Sequence, residues 1–440
     1  MSAGRPGTLP ELLGRAVGAF GERDALVTAE DRLSYRELSD LVDRHAAGLV
    51  GLGVGKGTRV GLLMESSVDW VSLAFAATGL GALLVPVSTF TDAAGLAHQL
   101  RHADVAVLLA SAGFLGHDYL GALGEVAPEL EDGPPGACAV PGSPRSGGWW
   151  CAARRRSPAG CDGWEELERA AETVPVGLVR SLRAEVDPED DCYLLYTSGT
   201  TAEPKGVLHR HRSVAGTGFI VGERQRLGPG DVAWSHFPLF FAAGCVNVML
   251  GSLSHGTTLL LQPVFEPATA IELIDREGVT VWHLWPHVFK ALTEHPDWGR
   301  RDHSRLHKGT GPYDLVLKVS SPDGAGGVNM YGMTETATAF TCTWADDSPE
   351  IRSSTHGEPL PGNEVRIVDP STGAPLPTGA EGEIRVRGTG SCGATTRSTP
   401  RGPSTPTASC RPATSASWGR TDVSASSGGR RTSSSPPGST

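Results

Sequence analysis

Residues 196–207 read Tyr-Thr-Ser-Gly-Thr-Thr-Ala-Glu-Pro-Lys-Gly-Val, the most informative segment of the chain. Small or hydroxylated residues run without interruption from Thr197 to Ala202, and Lys205 follows three positions later. Such a loop offers open backbone N–H groups, several hydroxyl donors and one positive charge, which together suit a polyphosphate. The apolar run 192–196 just before it is typical of a buried strand. We therefore expect the loop to follow a strand of an open α/β sheet, where ligands commonly bind.

The loop is not a Walker A motif, because that motif continues from its lysine with Ser or Thr, whereas Gly206 and Val207 follow Lys205 here. An ordinary Ser/Thr-rich surface turn is the alternative. The full twelve-residue string resembles the phosphate-binding signature of the adenylate-forming superfamily, which comprises acyl-CoA synthetases, luciferases and peptide-synthetase adenylation domains. Ala202 stands where that family usually has glycine, a change that matters if the backbone there needs a positive φ.

Further blocks similar to those of the same family occur in its order, which extends the resemblance over residues 10–388. They are Leu33–Leu38, Gly79–Val87, Phe237–Gly244, Asn329–Thr336 and Gly382–Gly388. The resemblance implies an α/β fold, the large N-terminal AMP-binding domain of the family, with two sheet-and-helix subdomains and a small β subdomain near residues 355–388. Alternation of apolar and charged residues in 365–368 and 383–387 independently predicts strands in the small subdomain.

The resemblance also implies a reaction: ATP activates a carboxylic acid to an acyl-adenylate, and a thiol of coenzyme A or of a carrier protein then takes the acyl group. The loop residues would cradle the β- and γ-phosphates; they are Thr197, Ser198, Gly199, Thr200, Thr201 and Lys205. Glu335 would bind Mg²⁺, a cation that prefers carboxylate and phosphate oxygens. Thr334 would donate to the α-phosphate, so that Thr334, Glu335 and Lys205 form the catalytic set.

Aromatic residues supply the remaining parts of the implied site. Tyr331, followed by Gly332, would lie against the adenine ring. The acyl pocket would be lined by Phe237, Phe240, Phe241, Gly244 and Met333. The resemblance places Trp282, Leu284 and Trp285 nearby, where they would add apolar bulk. These side chains favour an apolar aliphatic or aryl acid over an amino acid. The alternatives are ordinary core packing for the aromatic residues and a solvent-facing carboxylate for Glu335.

Composition narrows the class of protein. A net charge of −11 makes the chain a poor binder of nucleic acid. Eight scattered cysteines without a C-x-x-C pair, and an N-terminus without an apolar signal segment, favour reduced thiols and a cytoplasmic location. The uncharged run 70–87 is long enough to suggest a membrane span. We interpret it instead as a buried helix and strand, because Gly79, Gly81 and Pro86 interrupt it.

Residues 389–440 differ in kind from the rest, since Ser, Thr, Pro, Gly, Ala and Arg dominate them. We expect this tail to be disordered, either as a natural low-complexity segment or as an out-of-frame reading of GC-rich DNA. Two interpretations are open for residues 137–160: a local out-of-frame stretch and a basic surface loop. The C-terminal lid domain of the family does not follow residue 388 here, so we expect this polypeptide alone to be a poor catalyst.

Three other interpretations of the sequence stay open. The chain could be a non-catalytic protein that binds nucleotide or acyl groups, an unstable relic that does neither, or a luciferase-like oxygenase that shares the same blocks.

Overall fold

A computed structural model describes residues 4–126, 150–154, 162–197, 204–310, 326–388, 394–396 and 419–424. The helices are α1 (Leu9–Phe20), α2 (Tyr35–Gly51), α3 (Val68–Gly79), α4 (Ala93–His102), α5 (Tyr119–Val126), α6 (Trp164–Glu172), α7 (Val176–Ala184), α8 (His211–Arg224), a π-helix (Ala243–Leu250) that continues as α9 (Gly251–Leu253), α10 (Pro267–Arg276), α11 (Pro286–Thr293) and α12 (Pro349–Ser354), with 3₁₀ turns at Trp298–Arg300 and Thr334–Thr336.

The strands are β1 (Asp24–Val27), β2 (Arg32–Ser34), β3 (Arg59–Leu63), β4 (Leu83–Pro86), β5 (Val107–Ser111), β6 (Gly113–Phe114), β7 (His117–Asp118), β8 (Trp150–Arg154), β9 (Asp162–Gly163), β10 (Asp191–Tyr196), β11 (Gly206–Arg210), β12 (Val232–Ser235), β13 (Thr258–Leu261), β14 (Val281–His283), β15 (Lys308–Thr310), β16 (Met330–Tyr331), β17 (Thr341–Cys342), β18 (Glu358–Pro359), β19 (Asn363–Val368), β20 (Glu383–Gly388), β21 (Ala394–Thr396) and β22 (Gly419–Ser424).

Two large sheets carry most of the fold. The first sheet has the strand order β21-β11-β10-β4-β3-β5-β8-β9, in which only the pairings of β11 with its two neighbours are antiparallel. The second sheet has the order β15-β14-β12-β13-β1-β2, in which only β2 is antiparallel. Parallel strands need crossover connections, and the helices between them supply these. The predicted α/β class with two sheet-and-helix subdomains is confirmed.

Local sequence signals explain several element boundaries. Ser34 caps α2, because its side chain accepts from the Glu37 amide while the Glu37 carboxylate accepts from the Ser34 amide. The uncharged run 70–87 divides into α3 and β4, whose residues are almost all buried, as expected. No helix among the described residues is long and apolar enough to cross a membrane.

The small β subdomain also forms as predicted. Strands β19 and β20 pair antiparallel, with Val365 opposite Val386 and Ile367 opposite Ile384. Of the tail 389–440, the structure describes only β21, which pairs with β11, and β22, which pairs with β20. The rest of the tail lies outside the described residues, so its disorder and its reading frame stay predictions. Residues 137–160 are likewise described only over β8.

Candidate active site

The predicted phosphate loop is the turn of a β-hairpin. Strands β10 and β11 pair antiparallel up to Tyr196 opposite Gly206, and the Thr197 amide then donates to the Lys205 carbonyl at 3.0 Å. Residues 198–203, which include the predicted Ser198, Gly199, Thr200 and Thr201, lie outside the described residues. Thr197 and Lys205 therefore face each other at the root of the loop, at the carboxyl end of β10.

The aromatic block that follows β12 reaches the same edge of the first sheet. Strand β10 lies parallel to β4, and β4 lies parallel to β3. In the loop after β4, the ring centroid of Phe90 lies 5.7 Å from that of Phe240. In the loop after β3, the Ser66 hydroxyl accepts from the Leu239 amide at 3.1 Å. The aromatic block and the root of the phosphate loop thus lie at the carboxyl ends of neighbouring strands.

The aromatic block also joins the second sheet at a topological switch point. The chain leaves β12 for β13 on one side, whereas β14 lies on the other side of β12. At the carboxyl ends of these strands the Ser235 hydroxyl donates to the His283 carbonyl at 3.2 Å, and the rings of Phe237 and Trp285 are 5.1 Å apart. Ligands of open α/β sheets bind at such points.

The predicted acyl-pocket residues occupy different positions. Phe237 and Phe240 are buried, and Phe241 packs on Phe240 with 4.3 Å between ring centroids. A Cβ on Gly244 would lie 2.2 Å from the Pro238 carbonyl oxygen, so this glycine lets the π-helix pack against its own loop. Met333 belongs to another segment, directly before the Thr334–Thr336 turn.

Of the aromatic residues near β14, Trp285 contacts the aromatic block, whereas Trp282 faces the opposite side. Trp282 stacks on Trp298 with 5.9 Å between centroids, in the core between the second sheet and its helices. Alternation along the strand explains this, because successive side chains point to opposite faces.

The Tyr-Gly-Met-Thr-Glu block forms a strand that ends in a tight turn. The Tyr331 ring packs against Phe340 at 5.3 Å and His356 at 5.0 Å and stays half-buried, so one part of it is available to a planar ligand. A Cβ on Gly332 would lie 2.0 Å from the Thr338 carbonyl oxygen, which makes glycine necessary here.

Backbone strain marks the turn that carries Thr334 and Glu335. Ala337 and Thr338 have φ values of 50° and 89°, which are unusual for residues with a side chain. The Thr336 hydroxyl closes the turn by accepting from the Met333 amide at 3.0 Å and donating to the Met333 carbonyl at 3.0 Å. Strain of this kind persists where surrounding contacts fix it, and it clusters at functional sites.

His209 connects the hairpin to this turn. It lies on β11, and its ring is completely buried. Burial lowers the pKa of His209 to about 4, while the Thr334 backbone acts in the opposite direction. Val207 and His209 point to one face of β11. The hairpin and the Thr-Glu turn therefore lie close together.

The packing beneath the site is consistent with this connection. Ile220 and Val221 of α8, the helix that follows β11, share a buried cluster with Val328, Ala339 and Cys342 around the turn. From the sequence, His209 and His211 are interpreted as a packed or solvated pair rather than as metal ligands, and nothing in the neighbourhood of His209 along the chain indicates proximity to residue 334.

The donor set fits a magnesium ion that is shared with a bound polyphosphate. Glu335 is half-buried, and no described side chain forms a salt bridge with it. Within the described ranges no three His, Cys, Asp or Glu side chains cluster in a way that could hold a metal ion. Mg²⁺ is commonly held by one or two carboxylates together with substrate phosphates. Glu335 is the residue that would bind it here.

A family model described as "AMP-binding enzyme" matches residues 13–393. The chain belongs to this family. The match confirms the resemblance to the adenylate-forming superfamily over nearly the whole predicted range. Activation of an acid through an acyl-adenylate to a CoA thioester is thereby supported at the level of the family.

Relatives and solved structures agree with this assignment. YngI of Bacillus subtilis (strain 168) is 30% identical over 389 residues, which cover 87% of this chain and 71% of YngI. The mitochondrial medium-chain acyl-CoA ligase ACSF2 of Rattus norvegicus is 28% identical over 402 residues, which cover 87% of this chain but only 64% of ACSF2. The anthranilate CoA ligase AuaEII, solved in complex with anthranoyl-AMP, shares the fold with a TM-score of 0.74 at 22% identity, over 88% of this chain and 71% of AuaEII.

Proposed function

We propose that this AMP-binding enzyme uses ATP to activate an apolar aliphatic or aryl carboxylic acid and transfers the acyl group to the thiol of coenzyme A. The observation that carries the proposal is the buried cluster in which Ile220 and Val221 of α8, the helix directly after β11, pack with Ala339 and Cys342 around the turn. It unites the hairpin of Lys205 with the strained turn of Thr334 and Glu335, and these are the two segments that resemble the family's triphosphate-binding parts.

In the first step, a carboxylate oxygen of the acid attacks the α-phosphorus of ATP, and the bond to the bridging oxygen of the β-phosphate breaks. Acyl-adenylate and pyrophosphate result. Both reactants are anionic, so the site must offset charge and hold the reactants in line. Lys205 and the Thr197 backbone lie at the root of the loop that would hold the β- and γ-phosphates. Thr334 would donate to the α-phosphate, and Glu335 would hold Mg²⁺, whose charge stabilises the phosphate oxygens.

In the second step, the sulfur of the thiol attacks the acyl carbonyl carbon and AMP leaves. A carrier-protein thiol would react in the same way as the thiol of coenzyme A. Coenzyme A as the acceptor follows from the relatives named as CoA ligases.

The proposed class of acid rests on the aromatic block. Phe240 packs against Phe90 and Phe241, and Phe237 packs against Trp285, so that aromatic rings cluster in two groups at the carboxyl ends of strands of the two sheets. Such a cluster favours an apolar chain or an aromatic ring over a charged side chain, because an unpaired charge in apolar surroundings carries a large desolvation cost.

Acid-dependent exchange of labelled pyrophosphate into ATP tests the first step separately from the second. We expect exchange in the presence of Mg²⁺ and a medium-chain or aryl acid, and none with amino acids of similar size. The variant Thr334→Val should lose most of this exchange, while Thr293→Val, on α11, should keep it. Exchange without any added acid, or equal exchange with all acids, would contradict the proposal.

A calorimetric titration separates the enzyme from a non-catalytic binding protein. Binding of ATP and of an acyl-adenylate mimic without any exchange or thioester formation would favour the binding protein. Thioester formation with coenzyme A would establish the ligase. Slow turnover by this polypeptide alone stays a prediction, and the exchange assay is sensitive enough to detect it.

A further inference from the structure

A hydrogen-bonded pair lies beneath the phosphate loop. Tyr196 is the last residue of β10 and directly precedes Thr197. Its hydroxyl oxygen lies 2.7 Å from Nδ1 of His102 and 3.3 Å from the Gln99 carbonyl oxygen. Both partners belong to the last turn of α4. The hydroxyl is thus bound twice, once by a side chain and once by the helix backbone.

A second histidine supports the pair. The His98 ring stacks on the His102 ring with 5.4 Å between centroids and 15° between planes. The edge of the Tyr196 ring meets both imidazoles, at 6.4 Å from His98 and 5.6 Å from His102. His102 is therefore held in one orientation by contacts on two sides.

The helix that carries these histidines is itself fixed. Asp92 caps α4 by accepting from the Gly95 amide at 2.7 Å. Leu96 and Leu100 of α4 are buried in a cluster that also contains Leu194 of β10. Tyr196 is consequently tied to a rigid element, and the chain that leaves it toward the loop starts from a defined position.

We propose that Tyr196 and His102 are positioning residues that hold the root of the phosphate loop, where the Thr197 amide donates to the Lys205 carbonyl, in place for the binding of a nucleoside triphosphate. The inference rests on the proposed function of the loop. Tyr196 itself is mostly buried below the loop and bonded to α4, so it acts through the backbone of Thr197 rather than on the ligand. Without its hydroxyl bond the loop root becomes more mobile, and triphosphate binding must then supply the ordering free energy.

The test compares Tyr196→Phe with Tyr119→Phe. Both tyrosines belong to the same buried cluster, and the Tyr119 hydroxyl also donates to a backbone carbonyl, that of Thr89, at 2.8 Å. Tyr119 starts α5 and does not adjoin the loop, so its variant controls for the loss of a buried hydroxyl bond. Thermal melting should show similar destabilisation of the two variants.

Calorimetric titrations with Mg-ATP and with AMP give the readout that separates positioning from stability. We expect Tyr196→Phe to weaken ATP binding about tenfold, the effect of one lost hydrogen bond, while AMP binding changes less than twofold because AMP lacks the phosphates that the loop holds. Tyr119→Phe should leave both affinities unchanged. The double variant Tyr196→Phe/His102→Leu should bind ATP no more weakly than the weaker single variant, because the two side chains act through one bond.

Three outcomes would overturn the inference. An equal loss of ATP and AMP affinity in Tyr196→Phe would mean that the pair supports the whole domain. An equal loss of ATP affinity in Tyr119→Phe would have the same meaning. If the wild type binds ATP and Tyr196→Phe binds it equally well, the positioning role is refuted, while the proposed function stands. If the wild type binds no ATP, the proposed function fails and the inference falls with it. His102→Asn keeps a polar group near the Nδ1 position and should retain ATP affinity. It is the control for misfolding of His102→Leu.

Discussion

The amide of Thr197 donates to the carbonyl of Lys205 at 3.0 Å, and this bond closes the hairpin between β10 and β11. It places the single lysine of the loop opposite the first hydroxyl-bearing residue of the loop. Because β10 lies in the interior of the first sheet, with β4 on its other side, the backbone at the root of the loop continues from a strand that is paired on both sides. The position of Lys205 is therefore set by the sheet.

Replacing Lys205 with methionine removes the charge and keeps most of the apolar stem. A hydrogen bond to a charged group contributes about 1.5–3 kcal/mol, so ATP should bind about 10- to 100-fold more weakly in calorimetric titrations. Lys290→Met is the matched control, because Lys290 is exposed on α11 and only reaches Glu294 at 3.9 Å. An ATP affinity of Lys205→Met equal to that of the control would exclude a phosphate contact.

Replacing Glu335 with glutamine removes the proposed magnesium carboxylate and preserves its shape. We expect the rate of acid-dependent pyrophosphate exchange to fall about 100-fold, the scale of losing one electrostatic group at a reacting phosphate. The Mg²⁺ concentration needed for half the maximal rate should rise as well. Glu350→Gln, at an exposed position in the first turn of α12, should change neither quantity. An unaltered magnesium dependence in Glu335→Gln would assign the ion to other residues.

Gly332→Ala tests the close approach inside the Tyr-Gly-Met-Thr-Glu block. The added Cβ would lie 2.0 Å from the Thr338 carbonyl oxygen and 2.4 Å from the Ala339 Cα, both of them backbone atoms. We expect the free energy of unfolding to fall by about 2–4 kcal/mol in denaturant titrations, as for other overpacked sites. Gly14→Ala in α1 meets no atom within 4 Å and should stabilise the helix by up to about 1 kcal/mol. Equal stability of the two variants would show that the turn can relax.

The buried histidines make stability depend on pH on the acid side. Burial lowers the pKa of His209 and His211 to about 4 and that of His283 to about 3. In the unfolded chain these groups titrate near 6.5. Between pH 6.5 and about 4 the unfolded state therefore binds more protons, and stability falls as the pH is lowered. Each completely buried group contributes on the order of 3 kcal/mol over its window.

Melting temperatures measured between pH 7 and pH 4 check this dependence. His209→Gln should show a shallower loss of stability with acid than the wild type, since one proton-linked group is gone. His287→Gln, at an exposed position at the start of α11, should follow the wild-type slope. Parallel curves for all three proteins would mean that His209 is protonated in the folded state.

Several parts of this structure could be predicted because their signals are local. The apolar run before the loop forms β10, and the interruption of residues 70–87 by Gly79 and Gly81 separates α3 from β4. The alternation around Val365 and Val386 forms a paired hairpin of strands. In each case a few neighbouring residues determine the backbone, so the pattern is visible without knowledge of the fold.

The expected neighbourhood of the aromatic block was only partly right. Trp282, Leu284 and Trp285 were expected together near the acyl pocket, but Trp282 and Leu284 belong to the core under α10 and α11. Trp285 follows the strand and turns back to Phe237. Because successive side chains of a strand point to opposite faces, the sequence already indicated that these three residues would not all face the pocket. Which face meets the pocket depends on how the sheet is covered.

Contiguous motifs identify the family and the residues of the candidate triphosphate loop, so the amino-acid sequence was sufficient for these. The packing of α8 around the turn of Thr334 and the hydrogen bond between Tyr196 and His102 are visible only in the folded chain. These partners lie far apart along the chain. Their contacts arise from strand order and helix packing, which depend on the burial of the whole core. No periodic sequence pattern around either residue indicates such a contact.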